Sequence, residues 1–101
     1  MITTEVQMHP SKFRLIETTV ERICQESGLV LKVKSSLKEY PDSVHWHFKK
    51  ERETGTLEIT LWKKERRLWF SVHTNRKGEW IEDMIRNLKS ELEGKRKSTH
   101  S

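Results

Sequence analysis

The sequence predicts an α+β fold: a two-layer sandwich in the order α-β-β-β-β-α, with a four-stranded antiparallel meander and both helices packed on one of its faces. Three observations predict it. Apolar residues recur at spacings of three and four near each end of the chain. Between those stretches they alternate with polar residues in four successive runs. Short polar links join the runs. A length of 101 residues accommodates one domain, with expected boundaries of 1–9 for a flexible amino-terminal segment, 10–93 for the domain and 94–101 for a basic, disordered tail.

The first helix opens at Pro10, whose missing N–H costs nothing in a first turn. Phe13, Ile16, Val20 and Ile23 form its apolar stripe, with Cys24 beside them as a small buried hydrophobe. Gly28 suits the left-handed residue that ends a helix. The chain contains no alanine, so packing rather than intrinsic propensity must hold both helices.

The period then changes to two. Leu29, Leu31 and Val33 alternate with Val30, Lys32 and Lys34, and a turn is expected at Tyr40-Pro41-Asp42-Ser43. Val44, Trp46 and Phe48 alternate with His45, His47 and Lys49. After a turn at Glu51 to Gly55, Leu57, Ile59 and Leu61 alternate with Glu58, Thr60 and Trp62. A reversal at Lys64-Glu65 leads to Leu68, Phe70 and Val72, alternating with Arg67, Trp69, Ser71 and His73. Thr74 or Asn75 is placed to cap the second helix, whose buried stripe is Ile81, Met84, Ile85, Leu88 and Leu92. Glu79, Glu82 and Asp83 suit its positive end, and Gly94 stops it. Trp80 is expected to close the edge of the core.

Hydrophobic residues make up 33% of the chain and mean hydropathy is −0.85, so the core is thin and no apolar run approaches a membrane span. A single cysteine excludes an internal disulfide and fits a reducing, cytoplasmic setting. The net charge of +5 is concentrated in residues 29–80, which carry 12 basic against 7 acidic groups. Positive charge on the sheet attracts polyanions and is weakened by salt.

With both helices on one face, the other sheet face is left open. Keeping apolar partners opposite one another places Leu61 by Leu68, Ile59 by Phe70, Trp46 by Ile59, Phe48 by Leu57 and Val33 by Phe48. The outward rows are then Lys34-His47-Glu58-Ser71, Ser36-His45-Thr60-Trp69 and Lys32-Lys49-Thr56-His73, with Trp62 and Arg67 at the hairpin end. Lysines neutralise phosphates and indoles stack on bases, so the expected function is a small non-enzymatic module binding single-stranded nucleic acid through Lys32, Lys34, Lys49, Trp62, Arg67 and Trp69. The alternative is a protein-interaction or homodimerisation module using the same face. Neither a small-molecule substrate nor a membrane partner is indicated.

His47, Glu58 and Ser71 form a secondary polar row. His47, Glu58 and Lys34 hold the parts of a metal-free nuclease, but an open sheet offers little concavity, and no catalytic residue is assigned. His45 and His47 share a strand face, at a separation of about 7 Å that zinc can use. Glu58 is the only near third ligand, His73 falls in another row, and no metal or cofactor is assigned. The order of elements is similar in layout to the α-β-β-β-α of double-stranded RNA-binding domains. This chain adds a strand and has Asn75-Arg76-Lys77-Gly78 where that family has a lysine- and alanine-rich helix start, so the resemblance carries over no residue.

Overall fold

The computed structural model describes residues 1–8, 10–73 and 77–94. Its elements are β1 (Ile2–Glu5), a 3-10 segment (Pro10–Leu15), α1 (Ile16–Glu26), β2 (Leu29–Leu37), β3 (Tyr40–Lys50), β4 (Leu57–Trp62), a short 3-10 turn (Lys63–Glu65), β5 (Arg67–Val72) and α2 (Glu79–Leu92). The five strands form one antiparallel sheet in the order β1-β5-β4-β3-β2. Ile16, Val20, Ile23 and Cys24 of α1, together with Trp80, Ile81, Leu88 and Leu92 of α2, join one buried cluster with Val44, Trp46, Phe48, Leu57, Ile59, Leu61, Leu68, Phe70 and Val72 of the strands. One sheet face therefore carries the whole core, as the alternation of β3, β4 and β5 requires.

Four expectations are corrected. The sheet has five strands, not four, because Ile2–Glu5 pairs with β5 (Ile2 opposite Val72, Glu5 opposite Trp69). The segment is too short to show a period, yet it is held firmly. The Val6 N–H donates to the Leu68 carbonyl at 2.9 Å, the Val6 side chain is buried, and both oxygens of Glu5 accept from the Arg67 guanidinium at 2.8 and 2.9 Å. Second, the turn falls at Lys38-Glu39 rather than Tyr40–Ser43. Leu37 pairs with Tyr40, and the Leu37 N–H donates to Ser43 Oγ at 3.0 Å, so the polar tetrapeptide is drawn into the strand.

Third, Val33 does not face Phe48. Leu31 does, a bulge between Leu31 and Val33 shifts Val33, Lys34 and Ser35 by one, and a second irregularity between Ser35 and Leu37 brings Leu37 opposite Tyr40. Fourth, α2 starts at Glu79 with Gly78 at its cap, and Lys77 lies outside the helix. The expected caps Thr74 and Asn75, with Arg76, lie outside the described residues, as do His9 and the basic tail 95–101.

The register of the central strands matches the sequence reading: Trp46 with Ile59, Phe48 with Leu57, Ile59 with Phe70, Leu61 with Leu68 and Trp62 with Arg67. α1 ends at Gly28, whose φ of +85° is left-handed as expected. Cys24 is buried in the core, and burial pushes its thiol up to about 12. No helix among the described residues is long and apolar enough to cross a membrane.

Candidate functional site

The outward face begins at the hairpin end of β4 and β5. Tyr40 packs edge-on against both Trp62 and Trp69, with ring centroids 4.9 and 5.2 Å away. The Trp62 indole N–H donates to the Pro41 carbonyl at 3.1 Å. The Arg67 guanidinium lies 5.0 Å from the Trp69 ring centroid while Glu5 grips it from the side. Trp69 points outward as its parity requires, yet only 9% of it is exposed. Glu5 on one flank and Thr60 on the other, with Tyr40 and Arg67, use its surface up.

Of the six residues expected to meet nucleic acid, the structure gathers Trp62, Arg67 and Trp69 into this cluster. Lys49 lies on the outward face beside Val30, and Lys32 sits in the β2 bulge, opposite no β3 residue. Lys34 is turned the other way. It stands beside Trp46 on the helix side, where its ammonium meets Glu21 at 2.6 Å and Glu17 at 2.9 Å. The reason is the bulge, which moves Val33 outward and Lys34 inward. Ser35 rather than Ser36 then pairs with His45, and Val33 rather than Lys34 pairs with His47.

The Glu17–Lys34–Glu21 group fastens α1 to the sheet. Lys63 joins it through Glu17 at 3.1 Å, and the buried Trp46 indole donates to Glu21 at 2.8 Å. Hydrogen bonds from Lys34 and Lys63 hold the Glu17 carboxyl below its ordinary 4.5. Lys34 does the same for Glu21 with help from the indole, and Arg67 for Glu5. Groups with depressed folded values stabilise the fold above their unfolded pKa, and that contribution is lost as pH falls through the folded value. The stability these carboxylates contribute is therefore expected to hold from neutrality down to about pH 5 and to be lost progressively below it, while the buried His45 ring adds a fall that begins near its ordinary 6.5. A Glu17→Gln/Glu21→Gln double variant should start lower and show a shallower acid limb in thermal melts. Equal acid slopes for the two proteins would contradict this assignment.

The middle of the face holds a second cluster. Glu58 is almost fully buried and is ringed by three imidazoles. Its Oε1 lies 3.1 Å from His45 Nε2 and 3.8 Å from His47 Nε2, and its Oε2 lies 3.2 Å from His73 Nε2. The two Nε2 atoms of His45 and His47 are 3.1 Å apart. His45 Nδ1 is 2.8 Å from Thr60 Oγ1, and burial pushes the His45 imidazole below its ordinary 6.5, which favours the neutral ring. The strands fix these positions: His47, Glu58 and Ser71 are direct cross-strand partners, as are His45, Thr60 and Trp69. The secondary polar row of the sequence is thus present without Lys34. Sequence reasoning set His73 apart because it assumed straight rows, whereas its imidazole reaches the Glu58 carboxylate. The three groups His45, His47 and Glu58 converge closely enough to hold one metal ion.

No family model, no curated protein and no solved structure matches the chain. The molecule is thus defined by its fold, a five-stranded antiparallel sheet with two helices on one face, and by the two clusters on the other face.

Proposed function

We propose that the chain is a non-enzymatic interaction module that contacts protein through the outward face of β2 and β3, with a second copy of itself as the partner. The observation that carries this reading is the pair Val30 and Val33, 40% and 43% exposed, aligned with Lys49 and His47 on that face. The bulge supports a protein partner over a polyanion, since it puts a valine where straight alternation would put a lysine. The indoles expected to stack on bases are engaged by Tyr40, Arg67 and Pro41. Copies of net charge +5 repel, so a self-contact has to be carried by apolar burial, which the exposed Val30 and Val33 offer. Bulges interrupt the free edge of β2, so the contact is face to face, sheet on sheet, rather than a continued ladder.

The test is molar mass by light scattering over a range of concentrations, at low and high salt. A dimer that added salt does not weaken is expected, since salt screens the repulsion between the two copies. Val30→Asp/Val33→Asp should weaken it by about tenfold or more for each valine lost, from burial worth about 1.5 kcal/mol apiece. A monomer at every concentration would overturn the reading. Salt-sensitive binding of single-stranded RNA through Lys32, Lys49 and Trp62 would move the function to nucleic acid.

A further inference from the structure

We propose that His45, His47 and Glu58 form a binding site for a single divalent late transition-metal ion of the zinc type. Three donor atoms converge on one point from two adjacent strands. Their separations are 3.1 Å between the two imidazole nitrogens, 3.1 Å from His45 Nε2 to Glu58 Oε1 and 3.8 Å from His47 Nε2 to the same oxygen. Metal–ligand bonds of about 2.0–2.2 Å in a tetrahedron place neighbouring donors about 3.3–3.5 Å apart, so the triangle already has the dimensions of three tetrahedral corners.

The donor set is also the one such an ion selects. Two neutral imidazoles and one carboxylate suit zinc, cobalt or nickel, whereas magnesium and calcium require oxygen ligands. Two of the three donors are oriented from behind. Thr60 Oγ1 sits 2.8 Å from His45 Nδ1 and can accept a hydrogen bond from its N–H, leaving the Nε2 lone pair for the ion. His73 holds the far oxygen of Glu58 at 3.2 Å, which leaves Oε1 as the metal-facing atom. The side chains of His45 and Glu58 are buried while that of His47 is 23% exposed, so the ion enters past His47 and keeps its fourth position toward solvent. The site shares His47 with the face proposed for self-association but rests on the donor geometry alone, so metal binding is read on the chain whether it is monomeric or paired.

The experiment uses the full chain without an affinity tag, stripped of metal, and titrates it with Zn2+ by calorimetry and with Co2+ by visible absorption. One ion per chain and an intense tetrahedral cobalt spectrum are expected. His47→Ala is the diagnostic variant because that ring is part-exposed; it should weaken binding by more than about 100-fold while circular dichroism stays as in the wild type. His73→Ala should cost less, about 10–100-fold, the usual range for an outer-shell partner. His9→Ala/His100→Ala should bind like the parent. Should His47→Ala fail to fold, imidazole nitrogen NMR of the parent protein decides: Zn2+ must shift the Nε2 signals of His45 and His47. Binding that survives in His47→Ala, or that disappears in His9→Ala/His100→Ala, would overturn the proposal, as would Nε2 signals unmoved by Zn2+.

Discussion

Replacing Gly78 by alanine is expected to lower the melting temperature by at least about 10 °C. The φ of Gly78 is −142°, extended backbone that alanine adopts without strain, so the effect is one of space. A Cβ built there would lie 2.0 Å from the Thr54 carbonyl oxygen and 2.8 Å from Trp80 Nε1. That oxygen already accepts the Trp80 indole N–H at 2.7 Å, and Trp80 is buried against the core. The methyl group must therefore part α2 from the β3–β4 connection. Overpacking costs about 1–3 kcal/mol and a buried hydrogen bond left unmade about 1–3 kcal/mol. Each kcal/mol moves the melting point of a domain this size by about 4–8 °C. A melt within about 2 °C of wild type would show that this junction can give way without cost.

Trp46→Ala should be still more damaging. Trp46 is fully buried at the centre of the core, and removing an aromatic side chain from such a place costs about 3–5 kcal/mol. The ring also ties the sheet to α1 through Glu21, which Lys34 holds from the other side. The loss approaches the whole stability of a small domain, about 5–15 kcal/mol, so urea denaturation should place the variant at or past its midpoint in little denaturant. Trp46→Phe separates the two contributions. It keeps most of the apolar volume and removes the N–H, so a loss of about 1.5–3 kcal/mol is expected, the range for a hydrogen bond to a charged group. A loss for phenylalanine as large as that for alanine would mean that the bond to Glu21, rather than packing, carries the residue's contribution.

What the sequence conveyed follows from where side chains alternate without interruption. From Val44 to Val72 the pattern is regular, and the pairings of three strands could be read from it because any one-residue slip would turn the core outward. The His47–Glu58–Ser71 row came with that register. The β2 pairing differs already at Leu31, which meets Phe48 in place of Val33, and the parity changes past Leu31 because a bulge is set by local backbone geometry and leaves the run Leu29 to Lys34 looking regular. The consequence fell on the candidate site, turning Lys34 toward α1 and Val33 outward. β1 was missed for a different reason: four residues show no period, and their hold comes from Arg67 and Leu68, far along the chain. The meeting of His73 with Glu58 was likewise hidden, since strand rows locate backbones and not the reach of an imidazole.

The place of β1 at the outer edge of β5 sets the order in which the molecule can assemble. β2, β3, β4 and β5 each meet a neighbour that immediately precedes or follows in the chain, so their loops close early and cheaply. β1 must wait for Val72, Ser71 and Phe70, and closing that span carries the largest entropic cost of any strand pairing. At the ribosome, where about 5–20 residues are added each second, Ile2–Glu5 is made well before β5 and has no partner for several seconds. Until Ile2–Glu5 docks and Glu5 takes the Arg67 guanidinium, the meander stands with the β5 edge bare.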